Sequence, residues 1–109
     1  MFKYLPIETF DAPVKIMTPG GEEHEFTATF SYLDDKAHAV LLEKSVEECC
    51  RTVWKGWSGI EAPDPNDASK SIVLAYSDAQ RDLLLGHAYI SNAVFGGYAR
   101  ARQGLRAKN

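Results

Sequence analysis

The sequence predicts an α+β fold: an N-terminal antiparallel β-hairpin or small sheet packed against about three C-terminal α-helices. Three patterns carry that expectation. Residues 26–32 alternate apolar with hydroxyl side chains just after a Pro-Gly-Gly turn. The stretch from Asp34 to Val53 repeats apolar positions at helical spacing. Residues 90–105 repeat them again at i, i+4, i+7, i+8, i+11 and i+15. A chain of 109 residues, 45% hydrophobic and 25% charged, has the size and composition of one ordinary globular domain spanning residues 1–109.

Residues 1–10, with Pro6, read as an extended lead-in suited to covering a sheet edge. Val14 and Ile16 then alternate with Lys15, Pro19-Gly20-Gly21-Glu22 supplies a turn, and Phe26 to Tyr32 returns with period two. This is a β-hairpin with one buried and one wet face, with glycine available where a turn needs positive φ. A two-stranded hairpin is at best marginal in water, so its apolar face needs cover.

From Asp34 or Asp35 as N-cap, Leu42, Val46, Cys49 and Val53 fall on one helical stripe, while Glu43, Lys44, Glu47, Glu48 and Arg51 occupy the surface. Continued at the same spacing, Cys50, Trp54 and Trp57 form a second stripe that Gly56 and Gly59 bring to an end. In WKGWSGI the spacing favours packed tryptophans at a helix end over a ligand clamp. Glu61 to Ser71 has loop chemistry, with Pro63, Asp64, Pro65, Asn66 and Asp67; Ile72-Val73-Leu74 is either a brief strand or an extended lead-in. Ser77-Asp-Ala-Gln80 has the capping-box form and opens a short helix through Leu83, Leu84 and Leu85 to about Gly86.

The last helix carries Ile90, Val94, Gly97, Tyr98, Ala101 and Leu105 on one stripe. The Gly96-Gly97 doublet costs about 2 kcal/mol of helix propensity relative to alanine. It therefore signals a kink or the close approach of another helix, either within the domain or as an intermolecular groove.

The formal net charge of −3 conceals an asymmetry. Four of the 12 basic residues are Arg100, Arg102, Arg106 and Lys108, so the rest of the chain keeps 8 basic against all 15 acidic groups. An acidic body repels a phosphate backbone, and residues 100–109 read as a solvated basic tail, so nucleic acid is not expected as a partner. No apolar run approaches membrane-spanning length and no secretory leader is visible, so the expected setting is the cytoplasm, with no membrane partner. Cys49 and Cys50 are adjacent and diverge by about 100° on a helix, which suits neither a metal site nor a useful disulfide. His24, His38 and His87 are scattered and read as surface histidines. No phosphate loop, HExxH or GxSxG motif occurs, and the paired carboxylates Asp34/Asp35 and Glu47/Glu48 sit side by side rather than opposed across a cleft. The expectation is a protein without catalytic residues, cofactor or metal.

The order of elements is similar to that of the tail assembly chaperones of long-tailed bacteriophages and prophages. The resemblance covers nearly the whole chain: APVKIMTPGGEEHEFTATFSYL, a helix, Trp54-x-Gly56-Trp57-x-Gly59-Ile60, a polar connector, Tyr76-Ser77 before Leu83-Leu84-Leu85, a final helix and a basic end in RAKN. The departures are the longer, more polar connector from Glu61 to Leu74, and Tyr76 where the family pattern has Phe. The resemblance implies a protein that coats the hydrophobic, helical tape-measure protein and leaves as tail tube subunits arrive. It also implies a longer form of the same protein, made by a programmed ribosomal frameshift near the end of the short reading frame.

A holding protein needs moderate apolar stripes left uncovered, and an acidic body to keep complexes apart. The candidates for that partner-binding surface are Leu41, Leu84, Tyr89, Phe95 and Tyr98, with Trp54 and Trp57 lining the same groove. Apolar surface in the last two helices also leaves room for self-association. The competing class is a small phage structural or interaction module that stays in the particle.

Overall fold

The period-two stretch folds as a hairpin because its alternation matches the pleat. β1 (Thr9–Met17) pairs antiparallel with β2 (Glu23–Ser31), setting Phe10, Ala12 and Val14 opposite Phe30, Ala28 and Phe26 on one face. Val14, Ala28 and Phe30 are fully enclosed, whereas Asp11, Pro13 and Lys15 point to the exposed side. There the Thr29 hydroxyl donates to Asp11 across the strands at 2.7 Å. At the turn Gly21 takes φ +86°, a conformation that L side chains rarely adopt. The computed structural model describes residues 1–108, with side chains through residue 104. The place of Leu105 on the last helical stripe, and the Arg106 and Lys108 side chains of the basic tail, therefore lie outside the described residues.

The single helix expected from Asp34 onward is two. α1 (Asp35–Leu41) starts on Asp34, whose carboxylate accepts from the Ala37 amide at 2.8 Å. It ends at Leu42, which points outward at 53% exposure. α2 (Val46–Val53) starts afresh on Ser45, whose hydroxyl accepts from the Glu48 amide at 3.2 Å. Of the expected stripe, only Cys49 and Val53 reach the core; Leu42 and Val46 stay at the surface of the joint.

The tryptophans are not on a helix at all. β3 (Trp54–Ser58) follows α2 directly and adds to the sheet in the order β1-β2-β3, pairing Trp57 with Ala28 and Trp54 with Phe30. Residues three apart in a regular strand face opposite sides, but the register shifts between Thr29 and Phe30, and this bulge turns both indoles to the buried face. The indole rings lie 5.0 Å apart, and Phe26 stands 5.9 Å from Trp54.

The connector expected as a loop is a second, two-stranded sheet of β4 (Glu61–Asp64) and β5 (Asp67–Val73). Its turn is closed by the Asn66 amide donating to Asp64 at 2.9 Å. α3 (Asp78–Leu85) opens on Ser77, whose hydroxyl accepts from Gln80 N–H at 3.0 Å as the capping pattern predicts. α4 (Ala88–Lys108) then lies across β1 and packs on α2 and α3. The resulting core joins Val14, Phe30, Val53, Trp54, Leu85, Val94 and Tyr98. The glycine doublet marks a close approach within the domain, as one of the two readings held, but Gly97 meets strand β1 rather than another helix.

The fold is α+β, and among the described residues no helix is long and apolar enough to cross a membrane.

Candidate functional site

Three of the candidate partner residues belong to the core. Leu41 is 2% exposed, Trp54 0% and Tyr98 1%, so none of them offers surface to another protein. The causes are local. Leu41 closes α1, and its carbonyl accepts from the Cys49 thiol at 3.1 Å. Trp54 stands between Phe26 and Trp57, its carbonyl accepting from Arg81 of α3, and Tyr98 turns its ring onto Phe30, with centroids 5.4 Å apart. The Tyr98 hydroxyl lies 3.0 Å from His38 Nδ1, so His38 is half-buried and bonded rather than a free surface histidine. Burial pushes the Tyr98 phenol up from its ordinary value. Trp57 and Phe95 are half-buried against this core.

Leu84 and Tyr89 do come together. Both line an open groove of about 810 Å³ between the β1–β2 turn, the β4–β5 hairpin and the junction of α3 with α4. Ile16 and Phe26 form one wall, Ile60 and Val73 the second, and Leu84, Tyr89 and Ile90 the third. The volume falls in the range of roughly 300–1,000 Å³ typical of ligand clefts. Its carboxylates are Glu25 and Glu61, and no lysine or arginine lines it. A shallower hollow of about 460 Å³ lies beside α1, lined by Leu33, Ala37 and Val40 with Lys36 and Lys44 at its edge.

Two walls of the groove hang on polar contacts that the sequence did not announce. The Trp57 indole N–H donates to the Leu74 carbonyl at 2.8 Å, and Leu74 N–H donates to Ile60 at 2.9 Å, which fastens the base of the β4–β5 hairpin to the main sheet. α3 is held by Arg81, only 6% exposed, which donates to the Trp54 carbonyl and the Tyr76 hydroxyl, each at 3.3 Å, and to Asp82 at 3.0 Å. Tyr76 in turn donates to Asp78 at 2.7 Å, which holds the Asp78 carboxyl below its ordinary range. Burial raises the Tyr76 phenol. No spacing rule marks an arginine for burial, and the only available signal was the Ser77 cap that fixes where α3 begins.

Arg102 corrects the reading of residues 100–109 as a solvated end. It is 6% exposed, donates to the Leu33 carbonyl at 2.6 Å and to Asp35 at 3.0 Å, and lies over the Tyr32 ring at 5.7 Å.

The groove is lined mainly by apolar side chains, interspersed with Thr18, His24, Glu25, Glu61, Ser71 and Gln80. Among the described residues no group of three or more His, Cys, Asp or Glu side chains is placed to hold a metal ion. Comparison with protein-family models, curated proteins and solved structures returned no match for this chain.

Proposed function

We propose that the protein is a non-catalytic tail assembly chaperone of a long-tailed phage or prophage. In this reading it binds the hydrophobic, helical tape-measure protein in the host cytoplasm and keeps it soluble until the tail tube polymerises. The observation that carries the proposal is the open groove in which Leu84 and Tyr89 stand beside Ile16, Ile60 and Ile90. An amphipathic helix lays residues at i, i+3, i+4 and i+7 into such a cleft, and the apolar contact is moderate enough to be released. The acidic body supports solubility of the loaded complex. Tail tube protein and a frameshifted longer form are the further partners this reading brings.

Co-expression with a tape-measure fragment tests it. The fragment should stay in the soluble fraction with the protein, and Tyr89→Asp, at an exposed wall of the groove, should return it to the pellet while the variant itself remains folded. A fragment no more soluble with the protein than without it ends the proposal. Mass spectrometry of finished particles separates the competing class, since a chaperone should be missing from them and a structural module retained.

A further inference from the structure

Residues 1–8 form no helix or strand and lie outside the core. Phe2, Tyr4, Leu5 and Ile7 are 86%, 73%, 68% and 49% exposed, so the densest run of uncovered large apolar side chains lies on one arm.

We infer that this arm docks into the groove of a second copy of the chain. The arm leaves the sheet at Thr9, beside Tyr32, whose N–H donates to Glu8 at 2.9 Å. The groove begins at the other end of the same strand, at Ile16 and Thr18. The lining residue nearest the arm along this sheet, Phe26, pairs with Val14, roughly 17 Å from Thr9 at about 3.3 Å per residue, and Ile16 lies roughly 23 Å away. Leu5, four residues before Thr9, reaches at most about 14 Å from it, so the middle of the arm cannot fold back into the groove of its own copy. A neighbouring groove carries no such restriction.

Chemistry agrees with geometry. Lys3 is the single charged side chain among residues 1–7, and the groove holds Glu25 and Glu61 without a lysine or arginine. Phe2 and Tyr4 each bring roughly 150–250 Å² of apolar-rich surface. With Leu5 and Ile7, and counting both sides, the contact approaches the roughly 1,000 Å² that a specific interface needs. Pro6 restricts the arm before docking and so lowers the entropy lost on binding. Because arm and groove are different surfaces, copies join either by reciprocal exchange of arms in a closed dimer or head-to-tail in a larger ring or filament.

The inference goes beyond the chaperone proposal and does not depend on it, since the contact is a property of this chain alone. Light scattering behind size exclusion across a concentration series should give multiples of 12.1 kDa for the parent chain and 12.1 kDa for Leu5→Asp. Leu5 lies outside the core, so this change leaves the fold intact. A synthetic peptide of residues 1–8 should dissociate the assembly. Mixed single variants Leu5→Cys and Leu84→Cys should cross-link between copies, since Cys49 and Cys50 are buried. A parent chain that is monomeric throughout, an assembly untouched by Leu5→Asp, or an absence of the mixed cross-link overturns the inference. Tape-measure solubility with Leu5→Asp reports on the chaperone proposal separately, because that variant keeps its groove.

Discussion

Gly97 of α4 lies directly against Val14 of β1: a Cβ on Gly97 would come within 2.9 Å of Val14 Cγ2 and 3.4 Å of the Pro13 carbonyl oxygen. Val14 is fully buried between strand and helix and has no room to yield. The neighbouring Gly96 faces only the mobile end of Arg100, whose Nη1 would be 3.3 Å from an added Cβ. Alanine gains about 1 kcal/mol of helix propensity at either position. At Gly97 an overpacking cost of about 1–3 kcal/mol opposes it. Gly96→Ala should therefore raise the melting temperature and Gly97→Ala should lower it. Calorimetry showing both variants more stable than the parent would mean that helix and strand separate freely.

Trp57→Phe removes the indole N–H that holds the Leu74 carbonyl at 2.8 Å. The lost bond is worth about 1 kcal/mol, and the ring itself is only half-buried, so global stability should fall modestly. The local effect should be larger. Amide exchange of Leu74 and the β4–β5 hairpin should accelerate while that of β2 stays slow. Uniform acceleration across both sheets would refute a local fastening.

Arg102→Ala should cost about 1–3 kcal/mol, because it leaves the Leu33 carbonyl without its charged donor and uncovers the Tyr32 ring. Asp35→Ala should cost well short of that. Its side chain is 92% exposed, and an ion pair with one solvated partner contributes little. Equal losses in paired denaturant titrations would show that the charge pair, not the carbonyl bond, is what matters.

Cys50 is 1% exposed, its thiol donates to the Ser91 carbonyl at 3.3 Å, and burial pushes its pKa from 9.0 up to about 12. Folding thus retains a proton that the unfolded chain releases. The stability from this group is fully present below pH 9.0 and is lost as pH rises from there toward about 12. Urea midpoints should fall over that alkaline interval, and fall less in Cys50→Ala. Native protein should resist thiol reagents near neutrality until it is unfolded; rapid native-state labelling of Cys50 would contradict this.

The hairpin, the N-cap at Ser77 and the last helix were legible because each is a periodic or capping pattern that burial enforces. The tryptophan strand was not, since a bulge restored a three-residue spacing to one face and so imitated a helix. The break between α1 and α2 was written in Ser45-Val-Glu-Glu48, itself a capping signal, but the apolar spacing across it looked continuous. β5 is exposed along its entire length, so no alternation marks it. Of the candidate residues, Leu84 and Tyr89 line the groove, and both were named by counting leftover apolar residues. That count could not separate them from Leu41, Trp54 and Tyr98, whose burial depends on where distant elements meet. The long-range anchors at Arg81 and Arg102 have no local pattern either.

Arg102 grips the Leu33 carbonyl from 69 positions away, and the helix that carries it lies across β1. During synthesis the sheet is complete well before that helix leaves the ribosome, and its apolar face is bare in the interval. The time α4 takes to come free and cover that face therefore sets how long a new chain stays open to aggregation, even though none of its residues belongs to the sheet.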